Sequence, residues 1–170
     1  NSFQRDEKVL KEFDRLQQTY KTEKMKPVFK KTDLPMPDGI DLSDEQLKAI
    51  NSSIGSVLSV ITGGPGSGKS TLVVGLVKAF EEIQKKVLLC APTGRAAKRL
   101  SEYKDLKKLE PSTIHMHLAL LKSKKYKKYH VIIVDEASMI DIKLLLELLI
   151  NTPDGCSIVF VGDADQLPPI

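Results

Sequence analysis

The sequence of 170 residues has no tryptophan, two cysteines and only 5% aromatic residues. Cys90 and Cys156 stand alone in apolar, strand-like runs without CxxC or Cys/His spacing, which excludes a disulfide framework or a zinc site and makes both core residues. With so few aromatic rings, any base-stacking platform of the kind single-strand binders use must be small. No apolar run approaches the roughly 20 residues of a membrane-spanning helix, and the first residues show no charged-then-apolar leader pattern. An intracellular, cytoplasmic chain with no membrane partner is expected. The sequence stops at Ile170 directly after Pro168 and Pro169, which reads as a fragment of something longer. Apolar residues at 41% and charged residues at 28% fit one ordinary globular domain and argue against disorder, collagen or coiled coil.

Charge is unevenly spread. The formal net charge is +4, yet residues 95–130 hold eleven Lys/Arg against three Asp/Glu, while residues 131–170 hold one against seven. A concentrated basic block is the electrostatic footprint of a phosphate-backbone partner. Taken alone, Lys122–Lys128 reads equally well as a solvated loop.

Val9, Leu10, Phe13, Leu16 and Tyr20 recur at helical spacing among charges, which predicts an amphipathic helix over 2–20. Pro27, Pro35, Pro37 and Gly39 then mark a linker, so residues 1–39 are expected to be an N-terminal helix and linker belonging to a preceding region. Ser43 followed by Asp44, Glu45 and Gln46 is a helix N-cap signal opening a helix to about Ser53. Beyond it, the runs 57–62, 86–91, 130–134 and 157–161 read as short strands. Helices are expected over 69–84, 95–101, 113–122 and 139–150. Strands alternating with helices predict an α/β fold, a parallel sheet covered on both faces, starting near Ile40.

Two motifs carry chemistry. Gly63, Gly64, Pro65, Gly66, Ser67, Gly68, Lys69 and Ser70 fit GxxxxGK[ST] at every position, between a strand and a helix, the pattern of a P-loop NTPase. Backbone amides of such a loop close around phosphate oxygens at a helix N-terminus, Lys69 reaches the terminal phosphates, and Ser70 offers its hydroxyl to magnesium. A glycine-rich turn with a surface lysine would not need all eight positions. Thr71 continues the helix and anchors the loop. The second motif is Asp135 and Glu136, which emerge at the carboxyl end of the apolar run 131–134, the edge where ligands of parallel α/β folds sit. Asp135 is placed to hold magnesium and Glu136 to polarise an attacking water. The bland alternative is that the two acids merely cap the next helix. ATP and Mg2+ are thus the expected ligands.

The phosphate loop, the run Ala-Pro-Thr-Gly-Arg-Ala-Ala-Lys-Arg-Leu at 91–100, Thr-Ile-His at 113–115, Val-Asp-Glu-Ala-Ser at 134–138 and Val-Gly-Asp-Ala-Asp-Gln-Leu-Pro-Pro at 161–169 together resemble superfamily 1 helicases. They are most similar to the RecD and exodeoxyribonuclease V alpha-subunit branch. The resemblance covers residues 40–170 and implies the first RecA-like ATPase domain of a 5′–3′ DNA helicase acting in recombination and repair, with single-stranded DNA as partner and, as further partners, other subunits of a helicase–nuclease complex. It implies that Gln46 reads adenine, that Thr93, Gly94 and Arg95 grip the DNA backbone, that Thr113 and His115 contact DNA, and that Gln166 senses the γ-phosphate. The residues agree in part without it. Thr93 and Gly94 open a helix where amides suit a phosphate, and Arg95, Lys98 and Arg99 add charge, although a basic solvated helix would look the same at Lys98 and Arg99. His115 and His117 lie two apart, the wrong spacing for a metal pair on one helix face, so each has a capping or core histidine as its alternative.

The family's second motor domain and its transition-state arginine do not occur in these 170 residues. Without that arginine a rate loss of roughly 10³ or more is expected. Other readings of the same motifs are a superfamily 1 motor on RNA, a P-loop small-molecule kinase, and a docking module that binds nucleotide without unwinding.

Overall fold

A computed structural model describes residues 2–20, 27–63, 68–123 and 128–163. In chain order the elements are α1 (Ser2–Thr19), α2 (Asp44–Ser53), β1 (Leu58–Gly63), α3 (Gly68–Glu82), β2 (Val87–Ala91), α4 (Gly94–Ser101), α5 (Lys104–Lys107), β3 (Ser112–Thr113), α6 (Ile114–Lys122), β4 (Val131–Val134), α7 (Ile142–Asn151) and β5 (Ser157–Asp163). The described strands form one parallel sheet in the order β1-β5-β4-β2-β3. The expected parallel α/β sandwich is therefore present, and each expected strand and helix appears within a few residues of its place.

Side-chain alternation divides the interior into two cores. Val131 and Ile133 of β4 face a cluster built with α2, α3, α4 and α5, whereas Ile132 and Val134 face one built with α1, α6 and α7. Since both faces are covered, β2 and β4 are buried along their whole length, which is why their sequences are continuously apolar rather than alternating.

Local signals set the helix starts. Ser43 accepts from the Gln46 amide while the Gln46 side chain accepts from the Ser43 amide, a reciprocal capping box. Asp141 caps α7 by accepting from the Leu144 amide at 2.8 Å, so this helix starts later than the expected residue 139, and a 3₁₀ turn over Ala137–Met139 fills the gap. Two elements have no counterpart in the sequence reading. The two-residue strand β3 is too short to show a period, and α5 is a single turn of Lys-Asp-Leu-Lys held by tertiary contacts: Leu106 is fully buried, Lys78 of α3 pairs with Asp105 at 2.8 Å, and Lys108 pairs with Glu81 at 2.8 Å. The cluster 124–127 falls outside the described residues.

The N-terminal helix packs along α7, with Val9 and Leu16 inside the second core. Arg15 fastens this contact. Its guanidinium donates to Leu149 O at 2.8 Å and Thr152 O at 3.0 Å, satisfying carbonyls at the C-terminal end of α7, and it also pairs with Asp154 and Glu12. In the linker segment, Leu34 is buried in the first core, and Phe29 exchanges two backbone hydrogen bonds with the Asn51 side chain. No described helix is long and apolar enough to cross a membrane.

Arg15→Ala leaves those two carbonyls without a donor, and hydrogen bonds to charged groups contribute about 1.5–3 kcal/mol. The variant should melt roughly 4–8 °C lower in a thermal scan. An unchanged midpoint would show that α1 contributes nothing to the stability of the sheet.

Candidate functional site

The strand order places β1, β5 and β4 side by side, so their carboxyl ends meet at one edge, where Gly63 lies in register with Asp163. Lys69, in the first turn of α3, projects into that edge. A Cβ built on Gly63 would fall 2.6 Å from the Lys69 Cα, a contact that no larger residue could accept without moving the helix. Glycine at 63 is therefore what lets strand and helix approach across the loop. Gly64, Pro65, Gly66 and Ser67 lie outside the described residues, as does Gln166.

The Lys69 ammonium donates to Glu136 Oε1 at 2.6 Å and stands 3.5 Å from Asp135 Oδ1 and 3.6 Å from Asp163 Oδ1. Burial alone would lower the affinity of Lys69 for its proton. The hydrogen bond to Glu136 and the charges of Asp135, Glu136 and Asp163 outweigh that and hold it above the ordinary lysine value. Asp135 is buried at 5% exposure, and burial pushes its carboxyl above the usual carboxylate value despite Lys69 and the Glu136 amide, which pull it down. Its Oδ1 has no hydrogen-bond partner, since 3.5 Å to the ammonium is a charge contact rather than a bond. Glu136 sits at φ 54°, ψ 43°, a left-handed conformation that costs a non-glycine residue about 1–3 kcal/mol and persists where the surroundings impose it. The strained turn swings Glu136 out of the β4 line and onto Lys69.

Three carboxylates around one ammonium leave an excess of negative charge and one buried, unpartnered oxygen. This is a donor set that a cation completes. Among the described residues no group of three or more His, Cys, Asp or Glu forms a ready cage, but magnesium needs none: it retains waters and binds through one or two carboxylates together with substrate phosphates. Ser70 follows Lys69 in the first turn of α3, half-buried beside the same edge. The residues fit a magnesium-bound triphosphate.

Asp163 is the member that the sequence reading did not select. Its signal was available, because it ends the apolar run of β5 as Asp135 ends that of β4. Gln46 lies beside the loop, its Nε2 donating to Gly68 O at 2.9 Å while Oε1 serves the capping box. Thr71 lies one residue beyond Ser70 on α3.

The residues expected to meet nucleic acid gather farther along the same edge. Ala91 of β2 pairs with Thr113 of β3, so the N-termini of α4 and α6 lie side by side. Thr93 caps α4 by accepting from the Ala96 amide at 3.2 Å, and Thr113 caps α6 by accepting from the Met116 amide at 3.2 Å. Gly94, Arg95 and His115 are exposed there, as are Lys98 and Arg99. His117 instead points inward, buried against Leu89 O at 3.1 Å, and burial lowers its affinity for a proton.

Residues 46–170 match the AAA domain family. Over 135 residues the chain is 40% identical to the ATP-dependent RecD2 DNA helicase of Deinococcus radiodurans, covering 76% of this chain and 18% of that protein. Over 154 residues it is 31% identical to the RecBCD enzyme subunit RecD of Mycobacterium tuberculosis, covering 75% of this chain and 27% of that one. Two solved structures resemble it. The Pif1 helicase of Candida albicans matches with a TM-score of 0.53 and 26% identity, over 77% of this chain and 34% of its own. The UvsW helicase of bacteriophage T4 matches with a TM-score of 0.61, over 78% of this chain and 56% of its own, and at 12% identity it speaks for the fold alone. The chain spans less than a third of the length of either RecD relative.

A crowded carboxylate cluster should trade stability for binding. Asp135→Asn removes a buried charge, and the free protein should melt roughly 2–6 °C higher at neutral pH. The raised native pKa means that the penalty is absent below the unfolded carboxylate value and appears as pH rises through the native one. The stability gap should therefore shrink on acidification. An asparagine variant less stable than the parent at pH 7 would show that Asp135 supports the fold rather than straining it.

Proposed function

From a chain that belongs to the AAA domain family over residues 46–170, we propose the first RecA-like ATPase lobe, residues 40–170, of an ATP-dependent 5′–3′ DNA helicase of the RecD type. The observation that carries the reading is the Lys69 ammonium set among Asp135, Glu136 and Asp163 at the joined ends of β1, β4 and β5, directly after a complete phosphate-loop sequence. The RecD2 and RecD relatives support the assignment to DNA motors.

In the free protein Lys69 is held by carboxylates. On binding, it exchanges Glu136 for the β- and γ-phosphate oxygens, and the amides of the 63–68 loop and the start of α3 surround the phosphates. Ser70 and Asp135 would hold magnesium, which supplies positive charge against the triphosphate as the transferring group develops its own. Glu136, released from Lys69 and fixed by its left-handed backbone, orients a water and accepts its proton as the oxygen attacks the γ-phosphorus. The bond to the β-phosphate oxygen breaks, leaving ADP and inorganic phosphate. Gln166, by resemblance, senses the γ-phosphate from the segment after β5.

Single-stranded DNA is the proposed partner of the neighbouring edge, its phosphates at Thr93, Gly94, Arg95, Thr113 and His115, with the 95–130 block supplying the field. Contacts of this type are to the backbone and carry little sequence preference. The name of the RecBCD subunit RecD supports further subunits as partners of a longer protein that contains this lobe.

Lys69→Ala should abolish binding of a magnesium–ATP analogue, and retained affinity would remove the phosphate-site assignment. Glu136→Gln frees Lys69 from its tightest partner, so it should bind nucleotide as well as the parent or better while single-turnover phosphate release falls about 10²-fold or more. Loss of binding in that variant would make Glu136 structural. Binding of single-stranded DNA by this chain should weaken steeply with salt, and a flat salt dependence would exclude the backbone track.

A further inference from the structure

Beside the first turn of α3 lies a cavity of about 280 Å3, bounded by the segment 39–41, by Ser70, Thr71 and Val74 of α3, and by Tyr103 ahead of α5. We propose that this cavity is the nucleobase subsite of the triphosphate site, with the base laid against Tyr103, a proposal that rests on the nucleotide reading above.

Position comes first. Ser70 and Thr71 follow Lys69 directly, so the cavity opens from the end of the phosphate site, where the nucleoside part of a bound triphosphate must go. Its volume lies at the lower bound of small-ligand pockets, roughly 300 Å3, which suits a ring system rather than a whole nucleotide.

The wall is also built to stay in place. The Tyr103 amide donates to Leu100 O at 3.2 Å, and its carbonyl accepts from the amides of Leu106 and Lys107, each at 2.9 Å. Its side chain is half-buried and packs against the first core. The short helix α5 behind it is tied to α3 by Lys78–Asp105 and Lys108–Glu81, so the aromatic wall and the phosphate-binding helix form one body. In this way the cluster of ion pairs around a single helical turn, for which the sequence offered no reason, acquires one.

Gln46 points the same way. Its Oε1 accepts from the Ser43 amide and its Nε2 donates to Gly68 O, so both ends of the amide are engaged within the protein. It acts as a positioning residue for the loop, and an aromatic face is left to select the base. Stacking depends on ring area, so a purine is favoured over a pyrimidine.

The test uses the full chain, with a magnesium–ATP analogue, the corresponding CTP analogue and inorganic tripolyphosphate competing against a fluorescent nucleotide. Tyr103→Leu keeps apolar packing on the core but removes the flat ring. It should weaken the ATP analogue about tenfold, erase the preference for ATP over CTP and leave tripolyphosphate within about twofold. Tyr103→Phe should behave as the parent. ATP affinity unchanged in the leucine variant, or falling in parallel with tripolyphosphate, overturns the subsite. An 8-azidoadenine nucleotide photolysed on the parent chain gives a reading free of folding effects: label on the peptide carrying Tyr103 supports the subsite, and label elsewhere overturns it. A parent that binds tripolyphosphate as tightly as ATP sinks this inference alone. One that binds neither sinks it together with the phosphate-site reading.

Discussion

The ammonium of Lys69 sits where three parallel strands end, and three carboxylates share it. Any one of these pairs would be an ordinary partly buried salt bridge. The three together cannot be neutralised by a single cation, and Asp135, the deepest, keeps an oxygen that nothing in the protein satisfies. An arrangement that is incomplete by itself and becomes complete with a further cation and a polyanion binds ligand by relieving its own strain. The sheet, the glycine at 63 and the left-handed backbone at Glu136 all serve to hold these groups together against their mutual repulsion.

Topology explains why the cluster forms here and nowhere else in the described chain. With β1 beside β5 and β5 beside β4, the three strand ends come from distant sequence positions, yet their exits coincide. The opposite, amino end of the sheet shows the contrasting chemistry. There, loop ends of α1, α2, α3 and α7 surround a separate cavity of about 310 Å3 whose one carboxylate, Asp154, is paired with Arg15. Charges at that end are used to join elements, and charges at the carboxyl end are left unbalanced for a ligand.

Most of the architecture could be read in advance because it rests on local rules: apolar strands bounded by turn residues, a serine cap at 43, and a glycine-rich loop between strand and helix. What escaped was set by tertiary contact. The helix α5 is one turn of mainly charged residues whose stability comes from Leu106 inserted in the core and from ion pairs to α3, neither of which has a period in sequence. Strand β3 exists only because β2 lies alongside it. Asp163 escaped for another reason. Its place next to Lys69 depends on β5 lying between β1 and β4, and strand order is not written in any single segment. His117 divides from His115 likewise, since only the packing of α6 decides which imidazole faces Leu89.

One glycine links the two halves of the nucleotide site. A Cβ at Gly75, in the middle of α3, would lie 2.7 Å from Ile50 Cδ1 and 3.0 Å from Leu42 Cδ2. Glycine there costs helix propensity of about 1 kcal/mol relative to alanine. Its absent side chain lets α2 settle close against α3, and that approach brings the capped start of α2 near enough for Gln46 to reach Gly68. On the other flank of α3, Asp105 and Lys108 draw in α5 and with it Tyr103. The helix that presents Lys69 is thus braced from both sides, by small-residue packing on one and by ion pairs on the other. The phosphate-binding turn inherits its position from contacts made one to three turns away, and a substitution along this helix can alter nucleotide affinity without touching the nucleotide.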